Sequence, residues 1–461
     1  MIRLPACATV VMLHCLMAMA AIGAEPCATD LSLSDEATDE AMIGTSVAID
    51  GEWAVVGAPL DTGNGWASGV AYVYRWEADA WLLDARLIAD DGEIGDMFGV
   101  SVDIKGDRII VGSWFDNDAG SNSGSAYIFD RTEGTGWEQA AKIVMPDAQA
   151  EDVFGRTVAL GDEFCAIGAP LDDDQGQSSG SVVVFDRDST GGWSFVAKLA
   201  HPGGGGGDQL GLSLTIDGDR ILAGAPWSND GRGEVHLWER FAAWTHVWMM
   251  TMESVGSPDD YFGFSVALDG DRMAVGTYRD DSFGLDAGSI WIMSKVFDGW
   301  AFEKYPPPDP QSGAMFGVSI DLSGDLLLAG AYYGQVDGLS TGTVDIMSLA
   351  DTQWVPAGSL EGSGLVAGAE FGWSVALDGD RALVGAPYQS PVGDLQAWSG
   401  LLVNCNCPAD VTGDGQVGVD DILAVLEAYG STCTSCEADL DGDGQVGVDD
   451  ILLVIAGWAS C

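Results

Sequence analysis

Apolar and polar positions along the chain repeat with a long and nearly constant period. The pattern F-G-x-S-V-x-(L/I)-x-G-D returns seven times, at steps of 52 to 56 residues. Its copies start at Ile43, Phe98, Phe154, Leu210, Phe262, Phe316 and Phe371. A unit of this length cannot bury its own apolar face and must stack against its neighbours. The pattern therefore predicts an array of seven similar supersecondary units.

Within each copy, the apolar runs predict four short β-strands. In the last copy, strand one covers residues 371–377 and strand two covers residues 381–387. In the second copy, strand three covers residues 124–129, and strand four, which contains a tryptophan, covers residues 137–143. A glycine follows strand one in every copy, as expected for a tight hairpin that needs positive φ. These glycines are Gly51, Gly106, Gly161, Gly218, Gly270, Gly324 and Gly379.

Four antiparallel strands, repeated seven times, are typical of the blades of a β-propeller. The predicted fold class is mostly β, with a seven-bladed β-propeller followed by a small all-α domain. Small residues in strand one, such as Ser101, suit the crowded axis, and tryptophans in strand four, such as Trp137, suit the rim. The last copy lacks a fourth strand, which residues 27–33 can supply. This closure would bring Cys27 close to Cys405, and we expect the two to form a disulfide bond.

The motifs F-G, as in Phe98-Gly99, and G-A-P, as in Gly57-Ala58-Pro59, recur through the array. Together they resemble the FG-GAP repeats of integrin α-subunit propellers and their bacterial relatives, from residue 43 to about residue 404. The integrin pattern has an acidic calcium loop between strands one and two. This chain has the tight glycine hairpin there, so the resemblance does not imply calcium binding by that route.

Acidic side chains cluster in the loops after strand two and after strand four. In an up-and-down blade both kinds of loop emerge on the same face, which we call the loop face. Asp116 with Asp118, and Asp172 with Asp174, predict two weak cation sites on it. A solvated loop without a bound ion is the alternative at both places.

From residue 406 onward the composition changes, and a duplication with a 29-residue period appears. Each half has oxygen-bearing side chains at loop positions 1, 3 and 5, glycine at 6, a carbonyl at 7 and an acid at 12, which is the spacing of a calcium loop. Amphipathic helices are predicted at residues 422–429 and 451–458. The segment resembles a type I dockerin, a domain of paired calcium loop-helix units. The resemblance implies two Ca²⁺ ions, held by Asp410, Thr412, Asp414, Gln416 (main chain) and Asp421, and by Asp439, Asp441, Asp443, Gln445 (main chain) and Asp450.

Dockerins typically grip a cohesin through Ser-Thr at loop positions 10 and 11. Here those positions hold Val419-Asp420 and Val448-Asp449. The resemblance therefore implies a calcium-dependent protein partner, either cohesin-like or of an unknown class.

The first 24 residues have the features of a secretory signal peptide. Arg3 supplies the positive start, an apolar run covers residues 8–22, and small residues follow. The expected organisation is a signal peptide at 1–24, a propeller at 25–404 and a dockerin-like domain at 405–461. No later run approaches the about 20 apolar residues of a membrane span, so we expect a secreted, extracellular or cell-surface protein. With a net charge of -53 and only 18 lysines and arginines, the chain should not bind nucleic acid.

Seven of the nine cysteines lie after the predicted signal peptide. Cys165 occupies an apolar strand position and is predicted to be a buried free thiol. The even number of the others in an exported chain favours disulfides, with a zinc site at the CxxC of Cys433 and Cys436 as the alternative. The predicted disulfide cysteines are Cys27, Cys405, Cys407, Cys433, Cys436 and Cys461.

No nucleophile or acid–base constellation stands out. Only His201, His236 and His246 follow the predicted signal peptide, and the last two are expected to have core or rim roles in the strands of the fourth copy. We therefore expect a non-catalytic binding or adhesion protein whose partner is an extracellular glycan or a matrix protein. The alternative is a polysaccharide-degrading enzyme, or another extracellular hydrolase, carried by the dockerin-like domain.

Overall fold

The computed structural model describes residues 27–30, 41–77, 80–132, 134–252, 256–297, 299–336, 338–350, 352–362, 364–389, 394–399, 419–429, 446–448 and 451. The chain divides into two compact units. One is Pro26–Leu402, and the other combines Met1–Glu25 with Val403–Cys461.

Pro26–Leu402 is built from four-stranded antiparallel sheets. Six of them take their strands from successive stretches of the chain, and they are blades 1 to 6 of a β-propeller. Blade 1 consists of β2 (Ser46–Asp50), β3 (Trp53–Ala58), β4 (Val70–Glu77) and β5 (Ala80–Leu87). Blade 2 consists of β6 (Phe98–Lys105), β7 (Arg108–Ser113), β8 (Ser125–Thr132) and β9 (Gly136–Ile143). Blade 3 consists of β10 (Thr157–Leu160), β11 (Phe164–Ala169), β12 (Ser181–Arg187) and β13 (Trp193–Leu199). The prediction of a mainly β propeller is confirmed for six blades.

Blades 4 to 6 repeat this order, with two additions in their loops. Blade 4 contains α1 (Ser228–Gly231) after its second strand, and blade 6 contains a small hairpin of β24 (Gln335–Val336) and β25 (Leu339–Ser340). Blade 4 consists of β14 (Ser213–Asp217), β15 (Arg220–Ala225), β16 (Glu234–Arg240) and β17 (Trp244–Thr251). Blade 5 consists of β18 (Val266–Asp269), β19 (Arg272–Thr277), β20 (Ser289–Val296) and β21 (Gly299–Tyr305). Blade 6 consists of β22 (Ile320–Ser323), β23 (Leu326–Ala331), β26 (Thr343–Ala350) and β27 (Gln353–Leu360).

A further four-stranded sheet combines the two ends of this unit. Its strands are β28 (Ser374–Asp378), β29 (Arg381–Ala386), β30 (Asp394–Ser399) and β1 (Cys27–Asp30). Cys27 lies opposite Ser399 and Asp30 opposite Gln396, so residues 27–30 pair with β30, as predicted for the segment 27–33.

The apolar core lies between successive sheets. The second strand of a blade is buried along its whole length, as in Trp53–Ala58, because neighbouring sheets cover both of its faces. One cluster joins Val55 and Val73 of blade 1 to Val111 and Tyr127 of blade 2. Fourth strands lie at the rim and alternate between partly buried and exposed positions, as in Trp244–Thr251.

The recurring F-G motif of one blade meets the recurring strand-two glycine motif of its neighbour, which is Gly112-Ser113 in blade 2, at one contact. A Cβ atom added to Gly112, in strand two of blade 2, would lie 2.0 Å from the carbonyl oxygen of Gly155 at the start of blade 3. Gly155 itself has a φ of +88°, which favours glycine. Ser101 Oγ donates a hydrogen bond of 2.9 Å to the same carbonyl. The two motifs thus form a single seam that brings the inner strands of adjacent blades into backbone contact.

Two local predictions were wrong. The hairpin at Gly161 has three residues between β10 and β11 and lacks the positive φ of the other glycine hairpins. Strand one of the last copy begins at Ser374 rather than Phe371. The equivalent phenylalanine of blade 3, Phe154, lies before β10 and bridges to Gly124 of the preceding blade, which explains why such a residue need not extend its own strand.

In the other unit, the structure describes α2 (Val419–Ala428) and isolated residues near position 448. The helix starts three residues before the predicted residue 422, and Val425 on it is buried. Val448 and Ile451 are helical as well.

Candidate functional site

Loops after strand two and loops after strand four interlock on the loop face. The N–H of Val153, which leads into blade 3, donates to the carbonyl of Asn122 in blade 2, and the N–H of Phe154 donates to Ser123. These bonds place the acidic loops of one blade beside the acidic loops that enter the next. The predicted clustering of carboxylates on one face is therefore present in the structure.

Lys142 of β9 stands at the centre of the acidic group of blade 2. Its Nζ lies 2.8 Å from Asp91, 2.8 Å from Asp116 and 2.5 Å from Asp118. Asp116 is buried and also accepts hydrogen bonds from Ser125 and from Tyr127. Burial acts to lower the pKa of Lys142, but the surrounding carboxylates outweigh it and raise the pKa above its ordinary value.

Blades 3 and 5 repeat this arrangement. Lys198 Nζ lies 2.7 Å from Asp172 and 2.5 Å from Asp174, and Lys304 pairs with Asp280. The weak cation sites predicted at Asp116 with Asp118 and at Asp172 with Asp174 are therefore filled by the protein's own ammonium groups. The sequence-based prediction found the carboxylates but missed the lysines. The missed signal was a lysine at equivalent strand-four positions of three copies.

A second set of loop carboxylates shapes the turns that enter each blade. Asp96, Asp152 and Asp260 are buried, and each accepts a backbone N–H of its own loop at 2.6 Å. Burial raises the pKa of each of these carboxyls to about 6. These residues are structural, since each bonds within its own turn.

The inner strands surround a central cavity of about 300 Å³. Ser46, Ser101, Ser213 and Ser374 line it, and Arg156 is its cationic side chain. Deeper along the strands, burial raises the pKa of Asp103 to about 6 and that of Asp321 to about 7. Both carboxylates accept backbone N–H groups of the next sheet, from Leu160 and from Leu377, so they also link sheets.

Aromatic side chains gather on the loop face of blades 4 to 6 and the additional sheet. They follow strand two or enter strand one, and we call them the aromatic patch: Trp227, Tyr261, Phe264, Tyr278, Tyr332, Tyr333, Trp373 and Tyr388. Phe264 and Trp373 also line the central cavity. The repeat pattern did not reveal this patch, although an aromatic residue within two positions after strand two in five copies was a usable signal.

Ring contacts divide the aromatic patch into a first part around Tyr261 and a second part around Trp373. Tyr261 lies 5.2 Å from Trp227 and stacks on Tyr278 at 5.7 Å, measured between ring centroids. Trp373 lies 5.4 Å from Tyr332 and 6.1 Å from Tyr388.

Glu370 lies beside the second part of the patch. Its Oε2 atom is buried and makes no hydrogen bond among the described residues. Burial raises the pKa of Glu370. Tyr333 and Tyr388 nearby are 38% and 49% exposed, so solvent reaches this part of the patch.

The remaining predicted sites fall largely outside the described residues. Cys165 is buried and free, as predicted, and burial raises the pKa of its thiol. For the other cysteines the structure describes only the backbone of Cys27, so the disulfide predictions remain untested. The calcium-loop residues Asp410, Thr412, Asp414, Gln416, Asp439, Asp441, Asp443, Gln445 and Asp450 are not among the described residues, and Asp421 is described only as part of α2.

His236 and His246 lie in the strands of blade 4, as predicted, and His236 is fully buried, but the sequence did not indicate that the histidines meet. His236 and His246 belong to β16 and β17, but their rings meet, with Nδ1 of His236 lying 3.2 Å from Nε2 of His246. His201 joins them from the loop that enters blade 4, with its ring centroid 4.4 Å from that of His236. All three histidines therefore belong to one cluster on the loop face.

No helix among the residues that the structure describes is long and apolar enough to cross a membrane. No curated protein sequence matches the chain. Among solved structures, a protein from Lactobacillus plantarum matches with 11% identity and a TM-score of 0.46, over 68% of this chain and 84% of that one.

The FG-GAP repeat family matches the chain in six segments that together cover more than half of it. They are residues 30–74, 81–129, 137–185, 193–238, 244–293 and 354–397. Each segment contains inner strands of one of the sheets described above, including β28 to β30 in the last. The chain therefore belongs to the FG-GAP repeat family.

Proposed function

We propose that this chain is an exported, non-catalytic binding protein, whose propeller holds an extracellular ligand on the loop face. The observation that carries the proposal is the aromatic patch, where half-buried and exposed rings stand beside the mouth of the central cavity. Tyrosine and tryptophan offer large apolar faces with one polar handle and are enriched where proteins bind partners. Contiguous apolar surface of this kind is uncommon on proteins that bind nothing.

The surroundings of the patch restrict the chemistry of the ligand. The chain carries a net charge of -53, so an anionic ligand would be repelled. The flat rings of Trp373 and Tyr388 suit the C–H face of a sugar, and the carboxylate of Glu370 beside them suits a hydroxyl group. We therefore favour an extracellular glycan without negative charge as the ligand, with a matrix protein as the other class.

Replacing Tyr388 by alanine should weaken glycan binding by about 30-fold, the loss typical of an interface residue worth 2 kcal/mol. Tyr388 is 49% exposed, so the change should leave the fold intact. The control is Phe241→Ala, because Phe241 is 69% exposed in the hairpin between β16 and β17, away from the loop face. The measurement is a glycan array followed by titration calorimetry on the full chain, with and without Ca²⁺.

If Tyr388→Ala bound the glycan as tightly as Phe241→Ala, the aromatic patch would not be the binding site. Binding to matrix proteins with no glycan bound would keep the patch but change the ligand class.

We further propose that the additional sheet is a seventh blade that closes the propeller into a ring. The support is its contact with both neighbours. Ser374 Oγ donates to the carbonyl of Gly44 at 2.7 Å, and the N–H of Gly51 donates to Asp378 at 2.6 Å, which are the bonds expected between adjacent blades. Leu383 packs in the core of blade 1, and Val384 packs in the core of blade 6. The predicted Cys27–Cys405 disulfide would restrain the same closure.

For the C-terminal segment we propose a dockerin-like, calcium-dependent docking module that joins the exported propeller to a protein partner. The support is the duplicated loop sequence together with α2, which follows the first loop and buries Val425. Val419-Asp420 and Val448-Asp449 replace the residues that typically contact a cohesin, so the partner is a cohesin-like protein of altered specificity or a different class of protein.

Calcium titration of the full chain should show two sites that depend on the C-terminal loops. Asp443→Ala removes a ligand at position 5 of the second loop, so it should abolish one site or weaken it by at least 10-fold. The control is Asp449→Ala at position 11, which supplies no ligand and should bind two ions as the wild type does. Calorimetry gives the stoichiometry. Two sites that persist unchanged in Asp443→Ala would mean that the loops do not hold the calcium.

A further inference from the structure

Blade 4 lacks the lysine that neutralises the acidic group in blades 2, 3 and 5. The equivalent strand position, which pairs with His236, holds Met249. The aspartate and serine that accompany the lysine elsewhere are replaced as well, by Ser228 and Glu234. A carboxylate, Glu234, is nevertheless buried at this place. Blade 4 has therefore kept an anionic group and lost its fixed ammonium partner.

Three side chains converge on the place that the lysine would fill. Oε2 of Glu234 lies 3.2 Å from Nε2 of His201 and 3.4 Å from Nε2 of His236. The candidate ligand atoms of the three residues all lie within 4.8 Å of one another. His236 is fully buried and Glu234 is 5% exposed, while His201 faces the loop side with 11% of its side chain exposed.

These separations match the coordination shell of a transition-metal ion. Bonds of about 2.0–2.1 Å from a tetrahedral zinc ion to nitrogen and oxygen place neighbouring ligand atoms about 3.3–3.4 Å apart. The two measured separations of 3.2 and 3.4 Å are close to that edge length. Two imidazoles and one carboxylate are also a ligand set that zinc uses, whereas calcium prefers six to eight oxygen atoms.

The atoms that face the centre lie close together but are not joined by hydrogen bonds. Oε2 of Glu234 and Nε2 of His236 are buried, and neither makes a hydrogen bond among the described residues. A buried polar atom without a hydrogen bond is costly, so such atoms in a native protein indicate a ligand, water molecule or ion at the site.

The opposite atoms of the same three side chains have partners. Nδ1 of His201 lies 3.2 Å from Asp208, and Nδ1 of His236 lies 3.2 Å from Nε2 of His246. Oε1 of Glu234 accepts a 2.6 Å hydrogen bond from Asn229 Nδ2. Metal-binding histidines generally donate their second ring N–H to a carboxylate or another acceptor, which orients the ring towards the ion. Each of the three ligands is thus oriented by a second residue.

We propose that His201, Glu234 and His236 bind a divalent transition-metal ion, with Zn²⁺ as the best fit. The three side chains occupy three positions of a tetrahedron. The fourth position points to the partly exposed side of His201, where a water molecule or a group from a bound partner can enter. Asp208, His246 and Asn229 position the ligands without touching the ion. The proposal is independent of what the aromatic patch binds.

The test is zinc titration of the full chain after chelator treatment, in buffer with excess Ca²⁺ so that calcium sites are saturated. We expect one Zn²⁺ per chain with a Kd below about 1 µM, and anomalous scattering at the zinc edge between His201 and His236. Glu234→Gln should weaken binding by about 100-fold or more, since loss of an orienting partner alone costs 10–100-fold. The matched control is Glu239→Gln, which makes the same change on the same strand, β16, and should bind normally.

A second variant provides an independent test in case Glu234→Gln does not fold. His201→Gln alters the ligand nearest to solvent, and its unfolding temperature should no longer rise when Zn²⁺ is added, whereas that of the wild type should. The proposal is overturned if zinc does not bind, or if both variants bind it as the wild type does. The second outcome would place the ion elsewhere, for example on reduced Cys433 and Cys436.

Discussion

Replacing Gly112 by alanine should lower the free energy of unfolding by about 3 kcal/mol, at the upper end of the range for overpacked sites. The added Cβ would lie 2.0 Å from the carbonyl oxygen of Gly155 and 2.4 Å from Ser101 Oγ. The carbonyl belongs to the backbone of blade 3, so relief requires that the two blades separate and that the bond from Ser101 is disturbed. The φ of Gly112 is not positive, so the effect comes from the contact and not from backbone torsion.

Gly299→Ala provides the matched control for this change. Gly299 begins β21 at the rim, a Cβ there would meet nothing within 4 Å, and its φ is not positive. Alanine should therefore be neutral or slightly stabilising at this position. Chemical denaturation followed by tryptophan fluorescence measures both variants. Equal stabilities for the two would mean that the seam between blades is looser than the contact distances imply.

Replacing Lys142 by methionine should lower the free energy of unfolding by about 3 kcal/mol at pH 7. Among the described residues, Lys142 has the only ammonium within 4 Å of buried Asp116, so the change leaves that carboxylate without its countercharge. Loss of one partner of a buried ion pair typically costs 3–5 kcal/mol, and Lys142 is 18% exposed, which places the effect at the lower end. Lys105→Met is the control, because Lys105 is 52% exposed and lies 3.5 Å from Asp50, so its loss should cost at most about 0.5 kcal/mol.

The loss of stability caused by Lys142→Met should become smaller as the pH falls. Burial acts to raise the pKa of Asp116, but Lys142 and the other donors outweigh it and hold the pKa below its ordinary value. A depressed carboxyl pKa contributes stability above the unfolded value of about 4 and loses it as the pH falls through the folded value. The difference between wild type and variant should therefore shrink as the pH falls from about 5 to 3. A difference that stays constant over this range would show that lost packing, and not charge, is responsible.

Strands that depend on local pattern were predicted well. Strand two of the last copy was expected at residues 381–387 and is observed at Arg381–Ala386, and strand four of the second copy was expected at 137–143 and is observed at Gly136–Ile143. Strand one was placed less well, because its leading phenylalanine and glycine contact the preceding blade. The role of such residues depends on contacts with other repeats, which a pattern within one repeat does not contain.

In the candidate site, too, the residues that follow the pattern of one repeat were predicted, and those that depend on contacts between separate segments were missed. The aspartates of the loop face were found because acidic residues recur in loops of the repeat. Lys142 was missed because it belongs to strand four and reaches Asp116 only when strands three and four pair, with Tyr127 opposite Lys142. The histidine cluster was missed for a related reason. His201 precedes blade 4, whereas His236 and His246 come from β16 and β17, and only the packing of these segments brings their rings together.

The sequence by itself determined the repeat, most of the strands, the hairpin glycines other than Gly161 and the family, because each depends on residue type at short spacing. Only the tertiary structure decided what fills the space between the loops. It placed an ammonium among the carboxylates of blades 2, 3 and 5, and two imidazoles beside Glu234 in blade 4. Charge compensation acts over a few ångströms in space, and the residues that provide it here are separated by 24 residues or more along the chain in the lysine groups. For that reason the acidic loops alone indicated metal sites where the folded protein supplies its own cation.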